Sequence, residues 1–198
     1  MNRSVPEGIT QAVGALPEGT PISAKELLHL GQRATVDQAL ARLTKGGQLM
    51  RVARGLYVRP AIGRYGPRLP SASELVNKVG EIRGETVVEH EAVAANSLGL
   101  TEQVPVREVF LTSGQNQRLR IGNQVIELRH APAWRLLLPG RPAGAALRAL
   151  AWLGPSRAHE AIPTLRQNLS PSELGEVISA RSKVPTWLAK EISGFITK

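Results

Sequence analysis

The sequence predicts an α+β fold: an N-terminal helix-turn-helix with a β-wing, followed by a second α+β region whose helices gather at its end. Three observations carry this reading. Residues 32–58 pass from an amphipathic helix (QRATVDQALARLTKGG) directly into a short basic hairpin (LMRVARGLYV). Residues 117–130 alternate around a Gly122-Asn123 turn, the pattern of a β-hairpin. After Pro139 four helical stretches follow one another, separated by proline and glycine breaks.

The N-terminal elements follow in order. A weak helix is expected over residues 3–15, stopped at Leu16-Pro17-Glu18-Gly19. Ser23-x-x-Glu26 opens a second helix over residues 23–30, because the two side chains reciprocally satisfy amides that a helix start leaves unpaired. Gly31 makes the turn into a third. There Val36, Leu40 and Leu43 share one buried stripe, leaving Thr35, Gln38, Arg42 and Lys45 on a different face. Its start is open between Thr35-x-x-Gln38, another capping-box pattern, and Gln32 one turn earlier. Gly46-Gly47 ends it, since glycine takes a left-handed backbone without a Cβ penalty. Residues 49–52 and 56–58 then pair across Ala53-Arg54-Gly55, with Arg54 at the tip.

Three segments are expected: a wing-bearing domain over residues 1–60, a basic linker or extended arm over 61–70 (rich in Pro, Gly and Arg), and a second domain over 71–198. In the second domain Ser71-x-x-Glu74 caps a helix, Thr86-Val-Val-Glu89 reads as a strand, and residues 90–98 are helical again. Strands are expected at 106–112 and 117–130, and helices at 143–153, 159–169, 172–180 and 186–196.

Charge points to a polyanionic partner. The formal net charge is +9, and residues 1–70 hold ten basic side chains against four acidic ones. Between Arg42 and Arg68 lie seven basic residues (Arg42, Lys45, Arg51, Arg54, Arg59, Arg64, Arg68) and no acidic one. If about five of these meet phosphates, the logarithmic salt slope is about −4 to −5, and raising salt from about 50 to 200 mM costs two to three decades of affinity. Residues early in a recognition helix reach base edges, whereas basic groups near its end and on a wing reach phosphates or the minor groove. Arg33, Thr35 and Gln38 are therefore the base-reading candidates, with Arg42, Lys45 and Arg51 on the backbone and Arg54 in the minor groove. Tyr57 either donates to a phosphate or packs beneath the wing. Asp37 is read mainly as a helix cap.

Other chemistries find little support. The chain has no cysteine, which removes disulfides and thiolate metal sites. It has neither a membrane-length apolar run nor a signal-peptide core, so a cytoplasmic protein is expected. Glu89-His90-Glu91 brings carboxylates beside an imidazole, but His29, His130 and His159 are scattered and no second cluster accompanies it. A nuclease built on Glu108 and Glu127 would lack aspartate, because Asp37 is the only one and lies on the third helix. No cofactor, metal or catalytic residue is expected. Two alternatives remain: a winged-helix regulator whose second half senses a ligand or oligomerises, and, further off, a DNA-tethered nuclease.

The blocks ARLTKGGQLMRVARGLYVRP, AVAANSLGLTEQVPVREVFLTSG, RIGNQVIELRHAP and RALAWLG, in this order, resemble the AbiEi-like antitoxins of bacterial type IV toxin-antitoxin and phage abortive-infection systems. The resemblance runs from about residue 22 to 187. It implies an N-terminal winged helix that binds and represses its own promoter. It also implies a C-terminal domain that neutralises an AbiEii-type nucleotidyltransferase toxin. Carried over by position, the recognition helix is 33–45 and the wing 51–57. Separately, because one small module buries limited surface, two copies are expected to bind the repeats of an inverted operator cooperatively. Glu89-His90-Glu91-Ala92 stands where that family is expected to have a Pro-Thr-Gly-Ala-like turn. Arg118, Arg120 and Arg129 are the basic candidates for contacts of the second domain.

Overall fold

The computed structural model describes residues 4–196 apart from Tyr65 and Leu69, so the expected helix start at Arg3 lies outside the described residues. The fold is α+β. The chain divides into two compact units, Met1–Arg83 with Arg118–Ile126, and Gly84–Gln117 with Glu127–Lys198.

The first unit opens with α1 (Val5–Ala15), capped where the Ser4 amide donates to Glu7 Oε2 at 3.1 Å, with Pro6 in the first turn. Strand β1 (Pro21–Ser23) leads into a 3₁₀ helix (Ala24–Leu30), where the Ser23 amide donates to Glu26 Oε2 at 2.7 Å. Gly31 is required by close approach, since a Cβ there would lie 2.7 Å from a Val5 methyl carbon.

Helix α2 (Arg33–Lys45) takes the earlier of its two possible starts. The Val36 amide already donates to the Gln32 carbonyl at 3.0 Å, so Thr35 lies inside the first turn and the Thr35-x-x-Gln38 box does not form the start. At the far end Gly47, with φ +74°, takes the left-handed conformation while Gly46 stays at φ −80°. The Gln48 amide donates to Leu43 O at 2.9 Å and the Gly47 amide to Thr44 O at 3.1 Å, a Schellman closure that delivers Leu49 to the core.

Strands β2 (Met50–Ala53) and β3 (Leu56–Val58) form the expected hairpin, with a register irregularity between Arg51 and Ala53. β1, a strand not expected from the sequence, pairs antiparallel with β3, giving the order β1-β3-β2. The middle strand is therefore covered throughout, and Leu56, Tyr57 and Val58 are all buried. The core joins Ile9, Val13, Leu27, Val36, Leu40 and Leu49.

The linker expected over 61–70 is instead largely a second hairpin, β4 (Ala61–Gly63) with β5 (Gly66–Arg68), in which Gly63 faces Gly66. Pro67 is tolerated because in a two-stranded ribbon each strand has an edge that needs no donor. Helix α3 (Ala72–Arg83) follows, capped by the Ser71 amide donating to Glu74 Oε2 at 2.8 Å. It buries Leu75, Val76 and Val79 and packs against β1, which is why the first unit runs through Arg83 rather than stopping near residue 60.

The second unit contains β6 (Val87–Glu89), α4 (Glu91–Ser97) and β7 (Glu108–Thr112), with β6 and β7 antiparallel. Strands β8 (Gln117–Ile121) and β9 (Gln124–His130) turn at Gly122, φ +56°, and the stretch Arg118–Ile126 around that turn groups with the first unit rather than with a second domain over 71–198; the strand order of the sheet is β6-β7-β9-β8. Helices α5 (Pro142–Leu153), α6 (Ile162–Asn168), α7 (Pro171–Ser179) and α8 (Thr186–Ser193) gather at the end of the chain. The helix expected over 159–169 divides into a 3₁₀ turn (Ala158–Ala161) and α6, with Pro163 in the first turn of α6, where its missing amide donor costs nothing. Leu147, Leu150, Leu165, Val177 and Leu188 form the core here. Among the described residues no helix is long and apolar enough to cross a membrane.

Candidate nucleic-acid interface

Successive residues of an α-helix advance about 100°, and this sorts α2 into faces. Val36, Ala39, Leu40 and Leu43 are buried. Ala34, Gln38, Ala41 and Lys45 run along the line farthest from that core, and all four are exposed. Arg42 flanks this line on the side of α1, at the rim of a groove lined by Glu7, Thr10, Ala39 and Leu43. Thr35 lies on the same flank, half-buried. Arg33 lies on the other flank and pairs with Asp37, Nε to Oδ2 at 2.8 Å. Asp37 is therefore an ion-pair partner rather than a cap, one turn into the helix from its start.

The hairpin tip stands close to the start of α2. The Ala24 amide donates to the Gly55 carbonyl at 2.9 Å, tying the turn back to the 3₁₀ helix. Gly55, at φ +72°, makes that turn, and a Cβ placed on it would lie 3.9 Å from Arg33 Nη2. Arg54 is exposed at the tip. Arg51 is exposed too, with its Nε donating to the Ala53 carbonyl at 3.3 Å. The structure thus assembles Arg33, Gln38, Arg42, Lys45, Arg51 and Arg54 on exposed parts of α2 and the adjoining hairpin.

Two expected contributors drop out. Tyr57 is only 6% exposed and belongs to the core, because its strand is flanked on both sides. Recognising Pro21-Ile22-Ser23 as a strand would have revealed this. Arg59, counted in the basic run, donates through Nη1 to the carbonyls of Gly14 and Leu16 at 2.7 and 2.5 Å and closes the end of α1. The Arg68 side chain lies outside the described residues.

In the second unit, the Glu89-His90-Glu91 cluster has structural partners. Glu89 Oε1 lies 3.7 Å from Nη2 of Arg148, whose side chain is almost fully buried. Glu91 lies 3.0 Å from Arg135 Nε, an ion pair without hydrogen-bond alignment. His90 caps α4, its Nδ1 accepting from the Ala92 amide at 3.2 Å, and its ring meets Trp152 edge-on. Glu127 pairs with Arg129 at 2.7 Å. Glu108 is exposed on β7, whereas Arg118 and Arg120, expected as contacts of the second domain, are exposed on a stretch of β8 that belongs to the first unit. Among the described residues no group of three or more His, Cys, Asp or Glu side chains is arranged to hold a metal ion.

His90 yields a pH prediction. Burial lowers its pKa from 6.5, and the charges of Arg129 and Arg135 push in the same direction. The unfolded chain then takes up the proton first, so the stability tied to neutral His90 is complete above pH 6.5 and is lost as pH falls through the folded value. Glu91 works oppositely: burial raises its pKa from 4.5 against the pull of Arg135 and Arg148, so its contribution is present below pH 4.5 and lost as pH rises through the folded value. His90→Asn keeps an acceptor at the cap and removes the titration. Its thermal midpoint falls less steeply than the wild-type midpoint on acidification below pH 6.5; superimposable profiles would refute this assignment.

Together these features define an α+β protein of two compact units, the first of which carries a basic helix-and-hairpin surface. The chain belongs to DUF6088, a family of unknown function whose model matches residues 8–171. It is similar to the crystal structure of the RV2827C protein from Mycobacterium tuberculosis, with a TM-score of 0.51 and 13% sequence identity. The match covers 99% of this chain and 77% of that one, and at this identity the likeness is one of fold. No curated protein matches the chain.

Proposed function

We propose that the chain is a DNA-binding autorepressor and antitoxin of the AbiEi kind, whose first unit is a winged helix-turn-helix that places α2 in the major groove of operator DNA. One observation carries the DNA reading: the exposed line Ala34, Gln38, Ala41 and Lys45 is flanked by Arg33 and Arg42 and adjoins a hairpin exposing Arg51 and Arg54. The two alanines let the helix backbone approach the groove floor. Gln38 has the donor and acceptor pair that matches adenine, and Arg33 the fork that matches guanine. Arg42, Lys45 and Arg51 supply phosphate contacts, and Arg54 enters the adjacent minor groove. The order helix, strand, helix, helix, hairpin, with β1 paired to β3, supports the winged-helix assignment.

The antitoxin half of the proposal rests on the resemblance of the sequence blocks. The functional partner is then a nucleotidyltransferase toxin encoded beside this chain, neutralised by the second unit. A single small module buries limited surface, so two copies bind an inverted repeat cooperatively.

Footprinting of the full chain on the DNA upstream of its own gene tests the first half. The expected result is two adjacent protected segments that fill together; no protection, or one isolated tightly bound half-site, contradicts it. Co-expression with the neighbouring open reading frame tests the second. Growth arrest by that product, relieved by this chain, is expected, and arrest unchanged by the chain rejects the antitoxin role.

A further inference from the structure

We infer that Arg33 reads a guanine in the operator and that Asp37 is the positioning residue that makes this reading selective. The inference rests on the proposed DNA interface and extends it to a base preference. Arg33 is the first residue of α2 and Asp37 lies one turn later, with Nε and Oδ2 2.8 Å apart. Both side chains are about half exposed, at 56% and 46%, so the pair faces outward rather than serving the core. The Arg33 side chain makes no other hydrogen bond among the described residues.

The geometry of that contact decides its use. Asp37 occupies the Nε side of the guanidinium and leaves the two terminal nitrogens free as a fork. A fork held end-on matches the O6 and N7 acceptors that guanine alone presents together in the major groove. Without a tether, an arginine at a helix start can swing to the nearest phosphate, where it adds affinity but reads no base. The carboxylate blocks that escape in two ways: it pins the guanidinium, and it is itself repelled by phosphate. Asp37 is the only aspartate of the chain and the only acidic residue of α2. An interface selected only for non-specific DNA affinity has no use for a negative charge at this position.

The surroundings also orient the guanine within the site. Arg33 Nη2 lies beside Gly55, the residue after Arg54. The guanine is therefore at the wing-proximal edge of the contacted major groove, next to the minor groove that Arg54 enters. A narrow A·T-rich segment on that side is the sequence that best attracts an inserted arginine.

Selection of the full chain against a random-sequence duplex pool, followed by anisotropy titrations, tests this. Wild type is expected to select sites with an invariant guanine, and to discriminate against its replacement by about 10- to 100-fold. Arg33→Ala loses that guanine from the selected sites while keeping the rest of the motif. Asp37→Ala reduces the discrimination to about threefold or less and raises affinity for unrelated duplex, with a salt slope steeper by about one as Arg33 turns to phosphate. Asp37→Asn, which keeps an acceptor for Nε, retains most of the discrimination, and this separates positioning from charge alone. A circular dichroism melt confirms that each variant is folded. If wild type selects duplex sites whose guanines are indifferent to Arg33 and Asp37, the inference fails and the DNA reading stands. If wild type enriches no duplex sequence at all, the DNA reading itself fails and takes the inference with it.

Discussion

Changing Arg42 and Arg54 together to alanine lowers the affinity of the full chain for duplex DNA by about thirtyfold at about 0.15 M salt, and flattens the salt slope by about two. The magnitude follows from counterion release: each cation held against the duplex, Arg42 at a phosphate or Arg54 between the phosphate rows of the minor groove, contributes about 0.9 to the slope, worth roughly fivefold at that ionic strength. Both side chains are exposed and Arg42 packs only at the rim of a groove, so the folded state changes by about 0.5 kcal/mol or less. The pair is informative because the two residues sit on different elements, α2 and the β2-β3 turn. Only a ligand that spans both loses two contacts. Anisotropy titrations across a salt series measure the effect, and an unchanged slope would remove Arg42 and Arg54 from the interface. On the proposed antitoxin role, relief of growth arrest in the co-expression assay is expected to remain largely intact in this variant. An equal loss of both activities counts against separable roles for the two units.

Such predictions can be placed because much of α2 was legible in the sequence. Its buried stripe, its glycine terminus and the Ser23 and Ser71 caps rest on short sequence spacings, which the sequence exposes directly, whereas the Ser4 cap of α1 was not singled out. The β8-β9 hairpin was legible for the same reason, since its turn residue lies between the strands it joins. What the sequence hid depends on distant partners. Nothing near Tyr57 announces that β1, more than thirty residues earlier, covers its strand. Likewise Arg59 looks like one more surface cation until the carbonyls of Gly14 and Leu16 are found beside it. The hairpin at 61–68 was concealed by composition, because Pro and Gly signal breaks whether or not the flanking backbone pairs. Asp37 is a different case: its i,i+4 spacing from Arg33 was visible and is the ordinary spacing of a helical ion pair, yet the residue was read as a cap. With the helix start open between Gln32 and Thr35, Asp37 suited a first-turn cap as well as an ion pair, and only the start at Arg33 decides for the pair.

The contrast between local and distant contacts also sets the largest stability effect expected in the second unit, that of Gly144→Ala. Gly144 lies in the first turn of α5, the helix that packs against both α4 and α7. A Cβ there would come within 2.1 Å of the Leu138 carbonyl oxygen and 2.7 Å of the Leu137 carbonyl oxygen. Both obstacles are backbone and have little room to retreat. The Arg141 amide donates to Leu138 O at 3.2 Å, and the buried Arg148 Nη1 reaches Leu137 O at 3.5 Å. Leu138 already holds φ +51°, a left-handed conformation unfavourable for leucine, so the turn is pinned in a state it would otherwise leave. Relief must come from moving α5 off the turn, which opens the core around Leu147 and Leu150. The cost is about 3 kcal/mol, at the upper end for overpacking, and lowers the thermal midpoint by roughly 6–12 °C. Gly175→Ala is the matched control: a Cβ at that helical position meets nothing within 4 Å. There the same substitution stabilises by about 0.5–1 kcal/mol through reduced freedom of the unfolded chain and better helix propensity. Denaturant unfolding of the full chain compares the two. Opposite signs are expected, and a Gly144→Ala variant as stable as wild type would mean that α5 and the Leu137-Leu138 turn do not touch as described.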